Sequence, residues 1–72
     1  MKFKNKIKIK VNGKNTLFDK NESVQKLTKK LKIPLNKLAI ELNKKNLDKK
    51  KINKIIIRDN DNIEIVHFIG GG

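Results

Sequence analysis

Alternating apolar and charged residues near the start of the chain constrain its fold more than any other feature. Ile7, Ile9 and Val11 are separated by lysines, which is the period of a β-strand with one apolar and one solvated face. The Asn-Gly pair at 12–13 follows at once, and both residues tolerate the positive φ angles of a two-residue hairpin turn. The sequence therefore predicts a hairpin whose second strand spans residues 15–18.

A change of period after this hairpin predicts a helix. Val24, Leu27 and Leu31 fall on one stripe of a helix, and the lysines between them face water. Ser23 precedes the stripe and suits an N-cap, because its hydroxyl can accept from the free amides of the first turn. The single proline comes soon afterwards and restricts the residue before it, so we expect the helix to end by about Lys32.

The second half of the chain predicts three further strands. Residues 38–43 (LAIELN) alternate weakly, residues 55–58 (IIIR) are a short apolar run before an Asx-rich turn, and residues 63–68 (IEIVHF) form the last strand. The lysine-rich residues 44–54 are interpreted as a loop with room for one helical turn. The predicted order is strand, strand, helix, strand, short strand, strand.

This order predicts an α+β fold. A hairpin followed by one amphipathic helix suits a mixed sheet of four to five strands packed on one main helix. If the last strand lies beside the first, the two run parallel, and the intervening elements supply the long connection. A mixed sheet wrapped around one helix is the β-grasp, or ubiquitin-like, arrangement. We expect one such domain over residues 1–69, with residues 1–5 as a loose basic extension and residues 70–72 as a flexible tail.

Size and composition argue against several classes of function. A chain of 72 residues buries only about 60% of its unfolded surface, so a deep catalytic cleft is not expected. Cysteine is absent and His67 is the single histidine, so we expect neither a metal site nor acid–base catalysis, and a structural or surface role for His67. No segment approaches the roughly 20 apolar residues of a membrane span, and the opening lacks the apolar run of a secretory signal. We therefore expect a soluble cytoplasmic protein.

The net charge of +12 raises the alternative of a small basic nucleic-acid-binding module. Such proteins use arginine for bidentate contacts and aromatic rings for base stacking, but this chain has one arginine and three phenylalanines. Codons rich in A and T encode Lys, Asn and Ile, so a biased genome accounts for the lysine excess. We therefore favour a solvated basic surface, which would attract acidic partner surfaces in a salt-sensitive way.

Three of the four glycines stand together at the carboxyl end. Glycine adds little to a fold, but a segment without side chains can thread a narrow channel and present its carboxylate to a partner. Three extended residues reach roughly 10 Å. The alternative is a floppy tail without a function, but glycine-only segments without serine are uncommon as flexible linkers.

The chain resembles the ubiquitin-like sulfur carrier proteins, most closely the carrier of thiazole formation in thiamine biosynthesis. The resemblance covers residues 7–72 and rests on VNGK at the first turn, SVQKLTKKL on the helix and LAIELN on the third strand. The most specific part is the ending RDNDNIEIVHFIGGG. Asn60 departs from the pattern, since the family usually has glycine at that place in its acidic turn.

The resemblance implies a carrier on which enzymes act, and not an enzyme. A partner adenylating enzyme would use ATP to convert the Gly72 carboxylate into an acyl-adenylate. Sulfur from a donor protein's persulfide would then replace AMP, and a thiazole synthase would receive it. Gly70 and Gly71 would thread the tail into these partners, and the carrier itself would bind no cofactor or metal. A carrier for molybdopterin or amino-acid sulfur, or a protein-conjugating modifier, is the alternative.

Alternation in the last strand predicts a docking surface beside the tail. Ile63 and Ile65 share one face of the strand, while Val66 and Phe68 lie on the other. If the isoleucines are core residues, then Val66, Phe68 and Ile69 present apolar surface for a partner to cover. Burial of Phe68 by a local twist is the alternative.

Overall fold

The structure, a computed structural model, describes residues 5–67 as a five-stranded sheet with one helix. The strands are β1 (Lys6–Val11), β2 (Lys14–Asp19), β3 (Leu38–Leu42), β4 (Lys45–Asn46) and β5 (Asn62–His67), and the helix is α1 (Val24–Lys30). The sheet order is β2-β1-β5-β3-β4, in which β1 and β5 run parallel and the other neighbours run antiparallel. The predicted β-grasp arrangement is confirmed, because the last strand lies parallel to the first.

The β1–β2 hairpin forms because its two turn residues adopt a left-handed backbone. Asn12 has a φ angle of 52° and Gly13 one of 83°. This is the pattern of a type I′ turn, whose twist matches that of the strands it joins. The turn sets a register in which Ile7 lies opposite Phe18, and both side chains are buried. The predicted second strand is confirmed and is one residue longer at each end.

The helix buries a stripe that differs from the predicted one by one residue. Val24 and Leu27 are buried as expected, but Leu31 is 40% exposed, so its assignment to the stripe was wrong. The helix ends at Lys30, and Leu31 is its C-cap. Thr28 completes the buried stripe, since its hydroxyl donates to the carbonyl oxygen of Gln25 at 2.7 Å and needs no solvent partner.

Local bonds cap both ends of α1. The hydroxyl of Ser23 accepts from the amide of Lys26 at 3.3 Å, which confirms the predicted N-cap. At the other end, Lys32 has a φ angle of 56°, and the amide of Ile33 donates to the carbonyl oxygen of Thr28 at 3.0 Å. This is a Schellman motif. The helix therefore ends on a left-handed residue before the proline is reached.

The short strand predicted over residues 55–58 is wrong. This segment makes only an isolated bridge between Ile56 and Ser23. Ile57 is buried, and its amide donates to the carbonyl oxygen of Glu22 at 3.0 Å. The apolar run therefore covers the core and fastens the start of the helix without joining the sheet.

The remaining strand is β4, which lies in the segment interpreted as a loop. Asn43 and Lys44 have φ angles of 51° and 72°, and they form a two-residue turn that folds the chain back onto β3. The buried cluster that unites sheet, helix and loops consists of Ile7, Ile9, Phe18, Val24, Leu27, Ile40, Ile52, Ile57 and Ile63.

Candidate functional site

The last strand carries the chain past the end of β1. β5 pairs with β1 only through Asn62 and Ile63, and it continues beside β3 until His67 lies opposite Leu38. It therefore leaves the sheet at the same end as the β1–β2 turn, four residues beyond its last pair with β1. The predicted attachment residue, threading residues and two of the docking residues follow this strand and lie outside the described residues: Gly72, Gly70, Gly71, Phe68 and Ile69. The flexibility of the tail stays a prediction.

Side chains along β5 alternate as predicted up to Val66. Ile63 is fully buried, and Ile65 is partly buried against the core. Val66 is 43% exposed. The apolar side chain of Val66 is thus exposed to solvent near the end of β5.

The outer face of the sheet, opposite the helix, carries an unusual charge arrangement around Val66. Ala39 lies across from Val66, and the next pair on this face of β3 and β5 is Glu41 with Glu64. Neither glutamate forms an ion pair among residues 5–67. The other acidic residues all accept a hydrogen bond or form an ion pair: Asp19, Glu22, Asp48, Asp59 and Asp61. Despite the lysine excess, two carboxylates therefore face each other beside the apolar end of β5.

The acidic turn before β5 fastens that strand to β1. The Asp59 carboxylate accepts from the amide of Lys8 at 2.8 Å, and the Asp61 carboxylate accepts from the amide of Arg58 at 2.8 Å. Asn60 has a φ angle of 70°, a conformation that asparagine tolerates better than most residues. The same conformation explains why glycine suits this place in the resembling family.

Asn43 fastens the start of β5 from the other side. Its side-chain oxygen accepts from the amide of Asn62 at 2.9 Å, and its side-chain nitrogen donates to Asp61 at 3.0 Å. Sequence reasoning placed Asn43 at the end of a strand and missed this role. The signal available was an asparagine directly after an apolar strand, where such residues favour left-handed turns.

Within the part of the chain that the structure describes, no group of three His, Cys, Asp or Glu residues is placed to hold a metal ion. No helix in residues 5–67 has the length and apolar character needed to span a membrane.

Comparisons with known proteins agree on one family. Residues 3–72 match the ThiS family. The chain is 32% identical over 65 residues to the sulfur carrier protein ThiS of Bacillus subtilis, which covers 89% of this chain and 98% of that protein. It aligns with the crystal structure of a thiamine biosynthesis protein (ThiS) from Geobacter metallireducens at a TM-score of 0.82 and 29% identity, over 92% of this chain and 100% of that one.

A longer protein also contains a similar segment. The chain is 33% identical over 66 residues, 92% of its length, to a thiazole synthase of Paramagnetospirillum magneticum, and it spans 20% of that protein. The similarity is therefore to one part of that protein and not to the whole.

Proposed function

The chain belongs to the ThiS family, and we propose that it carries sulfur as a thiocarboxylate on Gly72. As a member of this family, it is a sulfur carrier of thiamine biosynthesis and not a catalyst. The observation that carries the proposal is that the family match runs through the terminal glycines that follow β5.

The proposed chemistry takes place at the terminal carboxylate. A partner adenylating enzyme joins a carboxylate oxygen of Gly72 to the α-phosphate of ATP and releases pyrophosphate. A persulfide sulfur from a donor protein attacks the acyl carbon and expels AMP, and reduction of the acyl disulfide by a thiol leaves the thiocarboxylate. In this proposal, the carrier needs no cofactor of its own. We propose a cytoplasmic location, because the partner enzyme consumes ATP.

The thiazole synthase is the proposed acceptor of the sulfur. The similarity between this chain and a segment of a thiazole synthase supports this partner, since it links a carrier-like sequence to that activity. A tail without side chains at Gly70 and Gly71 suits entry into an enclosed site in each enzyme. Because there is only one tail, the adenylating enzyme and the synthase would bind the carrier in turn.

The proposed docking surface is the outer face of the sheet where β5 ends. Val66 supplies exposed apolar area there, and Phe68 and Ile69 follow it in the chain towards the glycines. Apolar surface of this kind commonly marks a partner site. A partner that binds this end of β5 would fix the position from which the tail enters its active site.

A mass measurement tests the attachment site. The carrier is incubated with the adenylating enzyme of the same genome, ATP and a persulfide donor. We expect the intact mass to rise by the exchange of one oxygen for one sulfur. Deletion of Gly72, or addition of a residue after it, is expected to abolish the gain while the chain stays folded. An unchanged mass for the native chain would refute the proposal.

The same assay tests the docking surface with a matched pair of variants. Val66→Asp and Leu17→Asp each place a carboxylate on a residue that is 43% exposed on the outer face, but Leu17 lies on β2, away from β5. Loss of a central apolar contact is expected to slow thiocarboxylate formation about tenfold in Val66→Asp. Leu17→Asp is expected to stay close to the native rate, and equal losses in both would exclude Val66 as a specific contact.

A further inference from the structure

The side chain of Asn12 accepts a hydrogen bond from β5 beyond the point where β1 ends. Its main-chain amide donates to the carbonyl oxygen of Ile63 at 2.9 Å, and the amide of Ile65 donates to its side-chain Oδ1 at 2.8 Å. In a regular parallel ladder, the second bond would end on the main-chain carbonyl of Asn12. Because the chain turns away at Asn12, with a φ angle of 52°, the side-chain amide supplies an equivalent oxygen.

The amide of Ile65 depends on this oxygen. The amide of Asn43 donates to the carbonyl oxygen of Asn62 at 2.8 Å, and bonding alternates along an antiparallel pair, so the Ile65 amide points away from β3. β1 has no paired residue opposite Ile65. Within residues 5–67, Asn12 is thus the last group that holds β5 on the β1 side before the tail.

We propose that Asn12 is a positioning residue for sulfur transfer, because it fixes the strand from which the terminal glycines extend. This inference rests on the proposed function. Without the Asn12 bond, the end of β5 would be held on the β3 side alone, and a smaller fraction of molecules would present the tail in the direction that the partner requires. A smaller competent fraction raises the apparent KM for the carrier in inverse proportion and leaves kcat unchanged.

Two substitutions separate this role from the role of Asn12 in the turn. Glycine adopts positive φ angles readily, so Asn12→Gly keeps the turn and removes the acceptor. Aspartate tolerates the same backbone and keeps an acceptor oxygen, so Asn12→Asp serves as the conservative rescue.

The test measures the adenylating enzyme's kinetics for each carrier, with ATP and a persulfide donor present. We expect Asn12→Gly to raise KM about five- to tenfold at unchanged kcat, as the loss of one hydrogen bond implies. Asn12→Asp is expected to stay close to the native values. Amide hydrogen exchange is expected to accelerate at Ile65 in Asn12→Gly, while the amide of Val24, bonded to the carbonyl oxygen of Ile55 at 2.8 Å, keeps its protection.

The outcomes distinguish the two proposals. A native carrier that gains no sulfur would refute the proposed function. If the native carrier gains sulfur but Asn12→Gly has an unchanged KM, or if both variants lose equally, the positioning role is refuted. Faster exchange at Val24 and Ile65 together would show a general loss of stability and would also refute it. Rapid exchange of the Ile65 amide in the native chain would refute the positioning role as well, and this measurement needs no variant.

Discussion

Asparagine occupies most of the left-handed backbone positions in the part of the chain that the structure describes. Among residues 5–67, the non-glycine residues with positive φ angles are Asn12, Asn21, Lys32, Asn43, Lys44 and Asn60. Asparagine visits this region at lower cost than other residues because its short side chain bonds locally. Two of these asparagines, Asn12 and Asn43, also fasten β5 through their side chains. The abundance of asparagine, which the composition alone assigns to codon bias, therefore has structural uses here.

Lys32 is the left-handed position with the clearest route to greater stability. It follows the C-cap of α1 with a φ angle of 56°, and its Cβ makes that conformation costly. Lys32→Gly is expected to raise the free energy of unfolding by about 1 kcal/mol in urea denaturation. Lys29→Gly, inside the same helix, is the control and should lower it by about 1 kcal/mol. A loss in Lys32→Gly would show that its side chain makes a stabilising contact.

Local signals explain which secondary-structure elements could be predicted from the sequence. The hairpin turn at 12–13 and the Ser23 cap each depend on neighbouring residues, and both are confirmed. β4 could not be predicted, because the polar residues Lys45–Asn46 form a strand only when the preceding turn folds them onto β3. Residues 55–58 have the composition of a strand, but their backbone groups bond to residues 22–24 at the start of α1 and to no strand of the sheet.

The same distinction applies to the candidate site. The exposure of Val66 could be predicted because alternation along one strand decides it. The role of Asn12 could not, because it depends on a bond to Ile65, 53 residues away in the chain. Sequence patterns therefore located the exposed apolar side chain of β5 and missed the group that holds the strand's other edge.

The paired strands β3 and β5 contain a destabilising contact that can be tested. Glu41 and Glu64 lie directly opposite each other, and like charges in such pairs repel. Glu64→Gln is expected to raise the free energy of unfolding by about 0.5 kcal/mol at low salt. Glu22→Gln makes the same change in net charge but removes an ion pair with Lys26, so it should give no gain. Equal effects in urea denaturation of the two variants would rule out the local repulsion.

The whole molecule has a large excess of positive charge, which acts beyond any single pair. Lysine and arginine outnumber aspartate and glutamate by 19 to 7. Some of this charge is paired, since Asp19 accepts a hydrogen bond from Lys6 and lies near Lys26. The hydrogen bond from Lys6 lowers the pKa of Asp19 below its ordinary value, and the charges of Lys26 and Lys30 lower it further. The excess positive charges repel one another in the folded state, and this repulsion favours unfolding.

Raising the salt concentration is therefore expected to stabilise the fold and, over the same range of concentration, to weaken binding to the partner enzyme. Raising NaCl from about 0.05 M to about 0.5 M shortens the Debye length severalfold, so screened repulsion should raise the thermal midpoint. The same screening reduces attraction to an acidic partner surface, so the adenylating enzyme's KM for the carrier should rise. Differential scanning calorimetry and steady-state kinetics in matched buffers measure the two effects. A thermal midpoint that falls with salt would mean that exposed ion pairs such as Lys6–Asp19 outweigh the repulsion among the lysines. An unchanged KM would mean that apolar contacts around Val66 dominate docking.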